Sequence, residues 1–112
     1  MTDIRILQDL EIIIAEKKNH SPDTSYSAAL LHAGLPKISK KVGEEAAEVI
    51  IAALVQSPEE CTAEIADLMY HITVLMNLKH ISWQNVAEVL EKRTKMSGLE
   101  EKSARKLHTS HE

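Results

Sequence analysis

"KKVGEEAAEVIIAAL", residues 40–54, decides how this chain folds. Apolar residues recur along it at helical spacing, and Gly43 is its one interruption. The pattern extends back to Pro36, where a missing N–H does no harm at a helix start, and forward to Val55. A helix over about 36–55 is therefore predicted. It carries an oddity, because Glu44, Glu45 and Glu48 sit at the mouth of an almost unbroken apolar run. "QSPEE", 56–60, ends that helix and starts another: Ser57 caps, Pro58 takes the first position, and Glu59 and Glu60 suit the positive end of the helix dipole.

Working outward, "EECTAEIADLMYHITVLMNLK" reads as a fourth long apolar helix and "HIS", 80–82, as the turn after it. "SWQNVAEVLEKR" reads as a fifth helix, capped by Ser82. Upstream, "DIRILQDLEIIIAEKKN" places Ile4, Leu7, Leu10, Ile13 and Ile14 on one face, with Thr2 or Asp3 as cap. "HSPDTS" is a loop, and "SYSAALLHAG" is a short helix with Ser25 as cap and Gly34 as stop. This predicts an all-α bundle of about five helices, one domain over 1–95, and a polar tail over 96–112. The third and fourth helices have a short connection and so should be antiparallel neighbours. Both are apolar over more than half their circumference, more than a chain of 112 residues can cover alone, so oligomerisation is expected to complete the fold.

Composition narrows the function. The chain is 44% hydrophobic and 27% charged, which fits a soluble globular domain. It has no Phe, one Trp and two Tyr, so its core must be aliphatic and it has no aromatic platform for single strands. A net charge of −4 argues against a duplex nucleic-acid binder. One cysteine, Cys61, leaves no internal disulfide and no Cys-rich zinc site, and it reads as a small buried residue. No leader pattern and no apolar run of membrane-span length is present, which predicts a cytoplasmic protein.

At about 100° per residue, Ile38, Val42, Ala46, Val49 and Ala53 form a narrow stripe on the third helix. Glu45 falls at its edge, Glu48 and Lys41 flank it, and Glu44 lies further round. On the fourth helix Glu64 and Asp67 share a stripe with Leu68, His71, Leu75 and Leu78. Each acidic pair has i,i+3 spacing, which brings the side chains together. Unpaired buried carboxylates cost several kcal/mol or protonate, roughly speaking, so something positive must offset them. Lysines or a divalent cation could do so, and oxygen-only ligation suits Mg²⁺, with Mn²⁺ able to substitute. Mg²⁺ commonly binds through a few carboxylates plus substrate phosphates, which suggests a polyphosphate site. One E-x-x-E pair alone reads as a solvated face, but two pairs on adjacent apolar helices reverse that preference. A di-iron bundle would need Glu-x-x-His motifs that are not here.

Lys37, Lys40 and Lys41 stand one to two turns before the first acidic pair and could meet phosphate; the plainer reading is i,i+4 pairing of Lys40 with Glu44 and Lys41 with Glu45. His71 either orients a carboxylate or touches substrate, against the plainer reading of a satisfied core histidine. Tyr70 points off the stripe and should pack.

These segments, "SYSAALLHAGLPKISKKVGEEAAEVIIAAL" at 25–54 and "EIADLMYHITVLM" at 64–76, resemble the phosphoribosyl-ATP pyrophosphohydrolase family, within the all-α MazG-like nucleoside triphosphate pyrophosphohydrolases. The resemblance runs over nearly the whole chain. It implies Mg²⁺-dependent hydrolysis of phosphoribosyl-ATP to phosphoribosyl-AMP and pyrophosphate, the second step of histidine biosynthesis. It further implies a homodimer or larger assembly with sites near subunit interfaces. By the same resemblance Glu45, Glu48, Glu64 and Asp67 match the metal-binding carboxylates and Glu44 the extra acid, with Glu44 or Glu45 as the base. Lys37, Lys40, Lys41 and His71 are the candidate substrate contacts. Two alternatives stand: a house-cleaning nucleoside triphosphate pyrophosphohydrolase with the same site, and a non-catalytic helical module whose acids only pair with lysines.

Overall fold

The computed structural model describes residues 2–95 and Arg105. The described residues form five α-helices and no strand: α1 (Ile6–Lys17), α2 (Tyr26–Ala33), α3 (Leu35–Val55), α4 (Pro58–Leu78) and α5 (Trp83–Thr94). The expected all-α MazG-like architecture is what the chain adopts. The tail predicted over 96–112 lies outside the described residues, Arg105 apart.

Local chemistry sets most of the boundaries. The Ser25 hydroxyl accepts from Ala28 N, and Ser57 from Glu60 N, so each satisfies a backbone donor that the first helical turn leaves orphaned. Ser82 does the same for Asn85 N at 3.0 Å, while the Asn85 side chain accepts from Ser82 N at 2.9 Å. Gly34 both stops α2 and precedes α3, at φ 89° and ψ 178°, a conformation that only glycine takes without strain. This one-residue corner is what turns the short α2 back onto α3.

The predicted start of α1 is wrong by about one turn. Asp3 does not cap the helix. Its carboxylate accepts from Arg5 N at 2.8 Å and grips the Arg5 guanidinium at 2.9 Å, so regular helix begins only at Ile6. Ile4 is left ahead of the helix and is 77% exposed, and Ile13 is also exposed; Ile14 is the residue α1 buries fully.

Two residues, Gln56 and Ser57, connect α3 and α4, which fold back on each other as an antiparallel pair. Glu48, eight residues before Gln56, and Glu64, seven after Ser57, consequently meet across the pair. The core gathers Ile14 of α1, Leu30 and Leu31 of α2, Ile38 of α3 and Val74 of α4, with Leu10, Leu35, Tyr70, Leu75 and Leu78 packed around it. It is aliphatic, as a chain without Phe requires. Trp83 pins α5 in place: its backbone N–H donates to Glu11 of α1, and its indole N–H donates to Thr73 Oγ1 of α4 at 2.9 Å. Thr73 in turn donates to the Met69 carbonyl, so this buried hydroxyl is fully used.

A large apolar surface is left over. Ile50, Ile51, Leu54 and Val55 of α3 and Ile65 of α4 are all exposed. The four residues of α3 cover its last turns at the i,i+1,i+4,i+5 spacing of one helix face. None of the described helices is long and apolar enough to cross a membrane.

Candidate metal and phosphate site

The arc of α3 that faces inward differs from the expected stripe. Its buried residues are Ile38, Glu45 and Ala52, a seven-residue spacing, whereas Ala53 is exposed. Glu45 therefore stands in the middle of the buried arc, not at its edge, with 7% of its surface exposed. Glu48 follows one turn on and is exposed; Glu64 faces both from α4 and is half-buried. One carboxylate oxygen from each of Glu45, Glu48 and Glu64 lies within 4.8 Å of the other two. Asp67, one turn after Glu64 on α4, is exposed and outside this group.

The group is under-compensated. Lys41 Nζ lies 3.6 Å from Glu45 Oε1 and 3.9 Å from Glu44 Oε2. No ion pair joins Lys40 to Glu44 among the described residues, so Lys41 alone performs the pairing expected of both lysines. The other oxygens, Glu45 Oε2 and Glu64 Oε2, are buried without any hydrogen-bond partner. A carboxylate taken out of water with no partner is unfavourable by several kcal/mol, on the order given by mutational data, and three close together repel one another. A hard divalent cation is what would satisfy such oxygens: all the donors are carboxylate, oxygens of all three come within 4.8 Å of one another, and Glu48 is exposed to water.

Beside this acid wall is a basic cavity of about 260 Å³, lined by Tyr26 and Leu30 of α2 and by Lys37, Lys40, Lys41 and Glu44 of α3. Lys41 belongs to both. Its ammonium is held above its ordinary pKa, first by Tyr26 and then by Glu45 and Glu44, against the opposing effect of burial. Lys37, Lys40 and Glu44 are exposed at the cavity wall.

His71 is where sequence reasoning was least specific. It is buried, and both its nitrogens are used: Nδ1 donates to the Asp67 carbonyl at 2.7 Å, and Nε2 meets the Tyr26 hydroxyl at 3.0 Å. His71 is thus linked to Tyr26 and to the backbone of Asp67. Tyr70 packs as expected, edge-on to His71 with ring centroids 5.0 Å apart, and its hydroxyl bonds Ser27 Oγ. Burial holds its phenol above the usual pKa, helped by Tyr26 and opposed by the Ser27 hydrogen bond. Cys61 is free and half-buried instead of fully buried. Tyr26, which lines the cavity, entered the sequence reading only within the segment that carries the family resemblance. Its only sequence signal is its place in "SYS" just before α2.

The family model described as phosphoribosyl-ATP pyrophosphohydrolase matches residues 7–94. Among curated relatives, a phosphoribosyl-ATP pyrophosphatase of Erythrobacter litoralis is 48% identical over 88% of this chain and 95% of its own length. One from Trichlorobacter lovleyi is also 48% identical, over 90% of this chain and 94% of its own. One from Rhizobium meliloti is 43% identical over 94% and 97%.

Proposed function

The chain belongs to the phosphoribosyl-ATP pyrophosphohydrolase family, and we propose that the acid wall of α3 and α4, with the basic cavity beside it, is where it performs that family's reaction. Phosphoribosyl-ATP is hydrolysed to phosphoribosyl-AMP and pyrophosphate, a step of histidine biosynthesis. The observation that carries the assignment of the site is the pair of buried, unpartnered oxygens on Glu45 and Glu64.

Glu45, Glu48 and Glu64 would hold Mg²⁺, or Mn²⁺ in its place, and Asp67 would join them from the exposed turn of α4, as the family pattern has it. The ion would neutralise charge on the phosphates and polarise the anhydride. The protein's own groups do the rest. Lys37, Lys40 and Lys41 draw phosphate oxygens into the cavity, and Lys41, fixed by Glu45, sets its distance from the acid wall. Glu44 is exposed at the seam between the two halves and is the carboxylate best placed to take a proton from water as it adds across the α–β anhydride. Glu45 is the other candidate, but its burial and its contact with Lys41 suit it to holding the ion.

The exposed face of Ile50, Ile51, Leu54 and Val55 supports a homodimer or larger assembly. Glu44 and Glu48 share one side of α3 with Ile51 and Val55 at helical spacing, so a second copy on this face would close over the open side of the acid wall. A cytoplasmic location is part of the same reading.

Phosphorus NMR of the protein with Mg²⁺, given phosphoribosyl-ATP, ATP and a deoxynucleoside triphosphate in separate tubes, tests the assignment. Pyrophosphate chiefly from phosphoribosyl-ATP is the expected result. Release chiefly from the ordinary nucleotides would move the chain to a house-cleaning role, and no release from any of them would leave a non-catalytic module.

A further inference from the structure

α2 forms one wall of the basic cavity, through Tyr26 and Leu30, and α3 forms the other, through Lys37, Lys40, Lys41 and Glu44. The two walls are not equally secured. α3 is 21 residues long and folds back on α4. α2 has eight residues, fewer than a helix needs to persist by itself. Its last turn is tied down, because Gly34 joins it to α3 and Leu30 and Leu31 enter the core. Its first turn follows a stretch, 18–24, in which every residue is exposed. Ala28 is buried beneath that turn, but a methyl group packs without direction. Direction comes from two side-chain bonds to α4, made by consecutive residues on both helices: Tyr26 to His71 and Ser27 to Tyr70.

Ser27 and Tyr70 line no part of the cavity. Their hydroxyls meet outside it, both side chains are half-buried, and Tyr70 packs on the aliphatic core. The Tyr26 ring, 55% exposed, stacks on Tyr70 with centroids 6.1 Å apart and planes inclined by 19°. The ring that lines the cavity therefore rests on a ring whose hydroxyl Ser27 holds. Both hydroxyls have given up water to make this contact, so the bond is costly to leave unmade.

We infer that Ser27 and Tyr70 are positioning residues for the hydrolysis: their hydrogen bond fixes the first turn of α2 on α4 and so sets where Tyr26 stands opposite the lysines. This rests on the hydrolytic reading above and adds to it a pair that lies outside the cavity and the acid wall. The effect belongs to binding. A wall that shifts loosens the ground state and the transition state alike, which raises KM and leaves kcat in place.

The test is steady-state hydrolysis of phosphoribosyl-ATP with Mg²⁺ by the full chain, well below the melting temperature of every variant. The wild type is compared with Ser27→Ala, Tyr70→Phe, the two combined, and Ser27→Thr. Ala suits a helix and Phe keeps the ring, so each single change removes little but the bond. Each should raise KM about three- to tenfold, the worth of one hydrogen bond, with kcat within about twofold. The combined variant should lose no more than the worse single one, because the two residues share one bond. Ser27→Thr keeps a hydroxyl and should hold KM within about twofold of wild type. Residues that only stabilise the fold would lower the melting temperature and leave KM unchanged, and that result overturns the inference. Effects that add in the combined variant, or a fall in kcat at unchanged KM, overturn it as well. A wild type that releases no pyrophosphate overturns the hydrolytic reading itself and this inference with it.

Discussion

Glu45→Gln is expected to lower kcat/KM for phosphoribosyl-ATP by on the order of 10³-fold while the metal-free protein melts no lower than wild type. The two halves of this expectation come from one feature. Glu45 is buried at the centre of the α3 arc, with one oxygen near Lys41 and the other without a partner. In the absence of a cation that carboxylate is a net burden on the fold, because it is desolvated and faces Glu48 and Glu64. An amide of the same shape removes the charge and the repulsion together. A purely structural acid would behave oppositely, since breaking its pairing with Lys41 would lower the melting temperature. Activity and circular dichroism, measured on the same preparation, separate the cases. Wild-type turnover in Glu45→Gln would remove Glu45 from the site. Glu64→Gln should follow Glu45→Gln, because its Oε2 is orphaned in the same way.

Ile50→Glu combined with Leu54→Glu is expected to abolish, in sedimentation equilibrium, the self-association proposed for the exposed face of α3. Ile50 and Leu54 are 61% and 78% exposed in the single chain and stand one turn apart, next to Val55 at 77%. A contiguous apolar face of this kind is uncommon on a protein that works alone. Two charges placed in the centre of a symmetric contact are repeated on both protomers. A cost of about 3 kcal/mol or more follows, which is roughly a hundredfold or greater loss of association. Activity should fall as well, since the same face borders Glu48 and Glu44. An unchanged sedimentation coefficient would show that the face is not a contact between copies.

What could be read from the sequence was what local chemistry determines. Ser25, Ser57 and Ser82 cap helices because each hydroxyl serves a donor three residues on, and Gly34 turns the chain because its φ is open only to glycine. Such features need no knowledge of the rest of the molecule. The start of α1 was misread because Asp3 had two local partners to choose from, and it took Arg5 over the helix end. The facing of α3 was misread for a different reason. Spacing alone made Ile38, Val42, Ala46, Val49 and Ala53 a natural stripe, but contact with α4 rotates the buried arc towards Glu45 and Ala52. The acids were thus recognised as a group before their depth was known. On α4 the same wheel put Asp67 beside Glu64, yet a wheel shows only angle, and Asp67 is exposed and outside the group of three. Tyr26 and His71 are 45 residues apart, and no periodicity joins them. Only the corner at Gly34, which lays α2 across α3 and α4, brings the two side chains together.

The claim on which the rest depends is that Glu45, Glu48 and Glu64 jointly hold a divalent cation, and electron paramagnetic resonance of added Mn²⁺ tests it without substrate or turnover. Free aqueous Mn²⁺ gives a sharp signal that fades on binding. Wild-type protein is expected to extinguish that signal as it is titrated in, and Glu45→Gln and Glu64→Gln are expected to leave it close to the protein-free level. Equal loss of signal with the wild type and both variants would place the ion elsewhere and contradict the account.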